Sequence, residues 1–295
     1  MTSSVLYQNE QDTDSPLARW RFEETSGTTF AEDVGSVTAT LTGSVTPGTV
    51  YPSGPYPAPG VGADFAGGYA SMTGVLAWVP LSVEALVWLD TVPSTGSANR
   101  PMIFCHNYAT TDMPLMLGWN IDGAHQGRLG VGFFSNAAAA FRSVHMTTAV
   151  ATGTLLHIVG VRTGTTTLDL YVDDTNVATG TVTAFTSGTK NGTAYIGRRW
   201  DQPTQVIDGR VYDLALYNGS LDSTRVSAHY TASQQLAGLQ VSTGGPTVDP
   251  DGAGSVTGSW TGTVRTGGRL SWTSPTVGEG APARYRFTPH PSDYV

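Results

Sequence analysis

The stretch Ile207–Tyr230, IDGRVYDLALYNGSLDSTRVSAHY, decides how this chain folds. From Arg210 to Tyr217 the residues alternate, with Arg210, Tyr212, Leu214 and Leu216 on one side and Val211, Asp213, Ala215 and Tyr217 on the other. A period of two marks a strand. Asn218-Gly219 closes it, since both residues tolerate turn conformations that branched side chains avoid. Asp222 then stands where a carboxylate caps the free N–H groups of a helix, with Leu221 and Val226 at the two positions of a hydrophobic staple. A short helix is predicted after the strand.

The same period recurs upstream. In Leu81–Asp90 the set Val83, Ala85, Val87 and Leu89 is apolar while Ser82, Glu84, Leu86 and Trp88 are mixed, which predicts a strand with one face on the core and the other partly covered. Thr167–Asp173 alternates likewise, and Trp20 and Phe22 alternate with charged residues in a first strand from Leu17 to Glu23. Residues 45–62 hold five prolines and read as a surface loop. Strands spaced by turn signals, without helical periodicity between them, predict an antiparallel sandwich.

Six segments in order carry a family resemblance. LARWRFEETSGTTF (17–30), ADFAGGYASM (63–72), LSVEALVWLD (81–90), LHIVGVRTGTTTLDLYVDD (156–174), AYIG (194–197) and the closing stretch resemble the strands of a laminin G-like, or concanavalin A-like, lectin domain. The resemblance implies an all-β fold, an antiparallel β-sandwich of the concanavalin A-like jelly-roll type. One short helix follows the closing strand, and a small C-terminal β extension follows the sandwich. The chain then divides into a polar, aperiodic N-terminal arm outside the core (1–15), the sandwich (16–238), a Gly/Pro/Asp-rich linker (239–254) and a β-hairpin extension (255–295). Too small for a core of its own, the extension is expected to pack on another surface through Trp260 and Trp272.

Composition excludes several functions. With 36 Gly, 17 Pro and only 13% charged residues, the chain suits short strands and turns and not a helical bundle. A net charge of -8 supplies no field for phosphate, so nucleic acid is not an expected partner. No apolar run is long enough to span a membrane, and the first residues lack the apolar core of a signal peptide. The lone cysteine, Cys105, sits in the apolar run PMIFC and reads as a small buried hydrophobe. Lys190 is the single lysine among 15 basic residues, a skew that a GC-rich genome produces.

Glycoside hydrolysis needs two carboxylates flanking the sugar. Sandwich-fold glycosidases resembling laminarinase carry theirs as Glu-x-Asp-x-x-Glu on one strand, and the similar strand here offers Glu84 alone; Asp169 could approach only from another strand, and nothing in the sequence places it there. The six histidines show no metal-ligand spacing or catalytic-triad motif. The expectation is therefore a protein that is not an enzyme and has no cofactor. Calcium is the one ion the resemblance allows, with Glu32, Asp33, Asp173, Asp174, Asp208 and Asp213 as donors, and these read better as turn and cap carboxylates. Asp249 and Asp251 lack the later donors of a calcium loop. For a sugar, exposed aromatic rings among polar groups are expected: Trp200 with Arg199 and Asp201, then Asn107 with Tyr108, then Trp119.

Taken with the resemblance, these features predict a structural virion component. The chain is similar to minor tail proteins of phages that infect actinobacteria, with a lectin-like domain that decorates the tail or tail tip and binds host cell-surface glycans. Its expected partners are other tail proteins, copies of itself in a trimer or ring, and a host cell-wall glycan. It would be made in the host cytoplasm and reside in the virion. A free bacterial carbohydrate-binding lectin module is the alternative.

Overall fold

The computed structural model describes residues 5–50, 61–72, 81–93, 100–106, 113–135, 140–182, 192–234, 263–265 and 269–271. Two antiparallel sheets face each other. The first runs, in spatial order, β14 (Thr175–Thr181), β13 (Thr167–Val172), β12 (Leu155–Thr163), β7 (Ser82–Leu89), β18 (Gly209–Tyr217), β5 (Val61–Asp64) and β4 (Thr46–Val50). β1 (Ala18–Trp20) pairs with the second half of β18. The second sheet runs β11 (Ala140–His145), β10 (Leu129–Ser135), β9 (Met113–Trp119), β8 (Met102–His106), β15 (Ala194–Ile196), β6 (Gly68–Met72), β3 (Ala39–Gly43) and β2 (Thr29–Phe30). β16 (Arg198–Arg199) and β17 (Gln202–Val206) form a separate hairpin, as do β19 (Thr263–Arg265) and β20 (Arg269–Ser271). Trp260 and Trp272 lie outside the described residues.

Between the sheets the inward sets of residues interleave, Val83, Ala85, Val87 and Leu89 from β7 among them. Gly160 of β12 shows how close the sheets come, because a Cβ there would lie 2.6 Å from Val131 of the opposite sheet. Beyond the closing strand, α2 (Ser223–Ser233) begins as the sequence predicts. Asp222 accepts the Arg225 N–H at 2.9 Å, and Leu221 and Val226 are buried in one cluster.

The strict alternation of the closing strand is not observed. β18 shifts register between Val211 and Asp213, so two of its residues oppose one of β7. Val211 consequently joins Leu214 and Leu216 in the interior, and Tyr212 turns outward with Asp213, Ala215 and Tyr217. Part of the predicted proline loop also folds as strand, since β4 includes Pro47. It sits at the sheet edge, the place where a residue without an N–H is tolerated.

The largest departure is at the N-terminus. In place of an arm outside the core, Val5–Thr13 forms a helix, α1, packed against α2 on the outer face of the first sheet. Tyr7 and Gln11, four residues apart and so on one helical face, are wholly buried. The outer face of β7 is accordingly covered: Ser82 and Glu84 are fully buried and Leu86 nearly so. Glu84 is the shared acceptor for side chains of α1, β12, β18 and α2. Glu84→Ala strands those donors in the interior and is expected to cost about 3–5 kcal/mol in urea unfolding. A loss below about 1 kcal/mol, the scale of an ordinary surface pair, would contradict this role.

Candidate functional site

The Glu84 carboxylate accepts four donors. Tyr7 Oη reaches Oε1 at 2.9 Å and Tyr217 Oη reaches Oε2 at 2.5 Å. His157 Nε2 donates to Oε1 at 2.5 Å, and His229 Nδ1 to Oε2 at 3.0 Å. The other nitrogen of His229 meets Asp14 Oδ2 at 2.8 Å, and Arg225 pairs with Asp14 and Glu10 at 2.8 Å each. Asp213, beside this group on β18, accepts from Gln11 Nε2 at 2.9 Å through Oδ1, while its buried Oδ2 has no partner among the described residues. Asp169 does not approach Glu84 and instead accepts from Thr179 and Asn176 at an exposed hairpin. Glu84 is thus a structural anion with its oxygens occupied and no surface open to a substrate.

Most acids expected as calcium donors are likewise engaged by the protein. Asp33 pairs with Arg19 and Arg21, Glu32 accepts from the Val37 N–H, Asp173 from the His157 N–H and Asp208 from the Thr91 hydroxyl. Asp249 and Asp251 lie outside the described residues.

The aromatic candidates separate. Arg199, Trp200 and Asp201 do meet, on the β16–β17 hairpin, but Trp200 is only 9% exposed. It packs on Met102, Cys105, Met116, Ile121 and Phe134 over the outer face of the second sheet. The expected exposed ring is therefore a cover for an apolar patch that water would otherwise meet. Arg199 lies over the indole at 4.4 Å and pairs with Asp201 at 2.7 Å. Arg198 threads between the rings of Tyr69 and Tyr195, at 4.1 and 4.2 Å, and donates to the Trp200 carbonyl at 2.8 Å. Trp119 is wholly buried in the interior, so it cannot stack on a ligand. Asn107 and Tyr108 lie outside the described residues. One signal for the Trp200 position was present: PMIFC and PLMLGW are apolar on both alternating faces, as strands covered on both sides are.

Sequence reasoning missed a cleft at the open edge of the sandwich, where β11 and β14 are the end strands of their sheets. It has a volume of about 340 Å³ and is lined by Asp122, Phe141, Arg142, Ser143, Thr181 and Val182. Next to it, Asp122, His125 and His145 bring three donor atoms within 4.8 Å of one another. That set suits zinc in number and type, but the geometry does not converge. The two imidazoles stack at 4.4 Å and 13°, so their in-plane lone pairs run side by side. The Ile121 N–H donates to His145 Nε2 at 3.2 Å, which leaves the ring proton on Nδ1. As held, the group is a hydrogen-bonded cluster, with Asp122 also accepting the Ala124 N–H at 2.9 Å.

Sequence comparison matches this architecture to a family: a profile of the concanavalin A-like lectin/glucanases superfamily fits residues 68–227, more than half of the chain. The chain belongs to that superfamily. No curated protein matches it in sequence. Among solved structures, domain 4 of AbnA, a GH43 extracellular arabinanase from Geobacillus stearothermophilus in complex with arabinotriose, is similar. Its TM-score is 0.55 at 16% identity, covering 73% of this chain and 98% of that one. The receptor-binding domain of botulinum neurotoxin mosaic serotype C/D gives a TM-score of 0.54 at 11% identity, over 74% of this chain and 51% of that one. Trypanosoma rangeli sialidase in complex with sialic acid gives 0.50 at 15%, over 75% and 33%. The chain thus spans about half the length of the toxin domain and a third of the sialidase. At these identities the likeness is one of fold.

Within this superfamily sandwich, burial and charge set the protonation states. Burial pushes Glu84 up, but the charge of His229 and the hydrogen bonds from His157 and His229 outweigh it and hold the carboxyl well below its usual range. Burial works against the charge of His229, yet Glu84 and Asp14 lift its pKa from 6.5 to about 9. Asp213 is pushed by burial from 3.8 up to about 8, and His145 by burial from 6.5 down to about 4.

The consequence for stability has a definite sign. The His229 contribution is whole below pH 6.5 and lost as pH rises through about 9. Asp213 keeps a proton in the fold that the unfolded chain releases, so its effect also falls with rising pH, from 3.8 to about 8. His145 acts oppositely between about 4 and 6.5 and offsets Asp213 there, and Glu84 loses its contribution below 4.5. A plateau from about pH 4.5 to 6.5 and a decline up to about pH 9 are expected. Asp213→Asn is expected to halve the slope of unfolding free energy between about pH 6.5 and 8. An unchanged slope would mean that Asp213 is already ionised in the fold.

Proposed function

We propose that this chain is a non-catalytic glycan-binding protein of a phage particle, a minor tail protein whose lectin-type domain decorates the tail or tail tip and holds host cell-surface glycans. The glycan-binding part is carried by superfamily membership across residues 68–227. The arabinanase domain of similar fold was solved with arabinotriose. The absence of catalysis is supported by Glu84. A glycosidase sets two carboxylates about 5 to 9.5 Å apart across an open cleft, whereas this one is sealed beneath α1 and α2 with every donor inside the protein.

The particle assignment is supported by composition. Fourteen of the 15 basic residues are arginine, the skew of a GC-rich genome. In this reading the partners are other tail proteins and copies of the chain, no cofactor is required, and the place of action is the virion tail.

Mass spectrometry of purified particles of the phage that encodes the chain is expected to find it as a component. Added recombinant protein is expected to slow adsorption of that phage to its host. Recovery only from the growth medium, with adsorption unaffected, would favour the free lectin instead.

A further inference from the structure

We propose that the cleft between β11 and β14 is a subsite for an acidic sugar, whose carboxylate pairs with Arg142 while its ring hydroxyls bond to Asp122. The inference deepens the glycan-binding reading and rests on it. Arg142 is the residue that points to an anion. Arg19, Arg21, Arg199, Arg210 and Arg225 each pair with a carboxylate, and Arg128 and Arg198, which donate to backbone carbonyls instead, do not line the cleft. Among the described residues the only hydrogen bond of Arg142 is a long one, from Nη1 to the Phe141 carbonyl at 3.5 Å, and its buried Nε has no partner. Among the described residues no carboxylate lies within ion-pair distance of it. In a chain of net charge -8, an uncompensated guanidinium in a cleft is a specific feature, and its planar fork matches a carboxylate.

The rest of the lining suits a sugar ring. Phe141 supplies a half-buried aromatic wall, braced by Phe134 at 4.9 Å and Trp200 at 5.9 Å between ring centroids. Asp122 stays ionised because burial, which opposes its charge, is outweighed by the Ala124 N–H and the two histidines. It therefore offers an acceptor to hydroxyl donors, and it is not in ion-pair contact with Arg142 although both line the cleft. A bare anion would engage Arg142 alone. A sugar acid also engages Asp122, and the volume of about 340 Å³ lies in the range of small-ligand clefts.

The test is calorimetric titration of the full chain with oligosaccharides of galacturonate, glucuronate and sialate, each beside its methyl ester, which keeps the shape and removes the charge. At least one acid is expected to bind about ten- to a hundredfold more tightly than its ester, and Arg142→Gln is expected to remove that difference. The Arg142 Nε–H resonance is expected to shift on titration, and an unchanged melting temperature for Arg142→Gln shows that the variant folds. Equal binding of acid and ester, or binding that Arg142→Gln leaves intact, would overturn this subsite while leaving a lectin in place. Failure to bind any acidic or neutral glycan on an array would overturn both the subsite and the glycan-binding reading.

Discussion

A carboxylate cannot be buried at the centre of a sheet unless donors come to it, and Glu84 organises the molecule through that requirement. Tyr7 arrives on α1, His157 on β12, Tyr217 on the closing strand and His229 on α2. Elements more than two hundred residues apart in sequence are thereby tied to one point. Asp213 provides the contrast on the same face. With one donor for Oδ1 and none for Oδ2 among the described residues, it is held protonated, while the charge of His229 and the hydrogen bonds from His157 and His229 keep Glu84 ionised. The same burial therefore yields opposite protonation states, and the charge and donors brought to each group decide between them.

That network also directs where function can lie. Once α1 and α2 close over the outer face of the first sheet, a ligand is left with the second sheet and the sandwich edge. The second sheet is itself partly roofed by the β16–β17 hairpin, since its outward Met102, Cys105 and Met116 need an apolar cover. Trp200 provides that cover, and the guanidinium groups of Arg198 and Arg199 stack on neighbouring rings to hold the hairpin down.

Much of the sandwich was legible in the sequence because its strands obey a local rule. The alternation in β7 and the cap, staple and helix after residue 221 depend on near neighbours, and the structure follows them. What was not legible depends on distant partners. The N-terminal segment reads as polar because Gln11 and Asp14 are polar, yet both are satisfied by residues more than two hundred positions along the chain. The bulge at Val211–Asp213 arises from pairing with β7 and leaves no mark on composition. Trp200 sits among charged residues in sequence, but the side chains beneath it come from β8, β9 and β10.

The edge cleft could not be anticipated for a related reason: its shape depends on atoms that are missing. Gly130 and Gly132 of β10 stand opposite His145 and Ser143 of β11. A Cβ on Gly130 would lie 2.3 Å from the His145 ring, and one on Gly132 would lie 2.6 Å from the Arg142 carbonyl. Only glycine lets the edge strand lie this close and lets His145 fold across its neighbour towards Asp122 and Ile121. The two glycines read as weak points in a strand when taken alone. Set against β11, they hold Ser143 and His145 in place on either side of Val144, with Arg142 next in the strand, and so shape the cleft in which Arg142 stands without a counter-ion among the described residues.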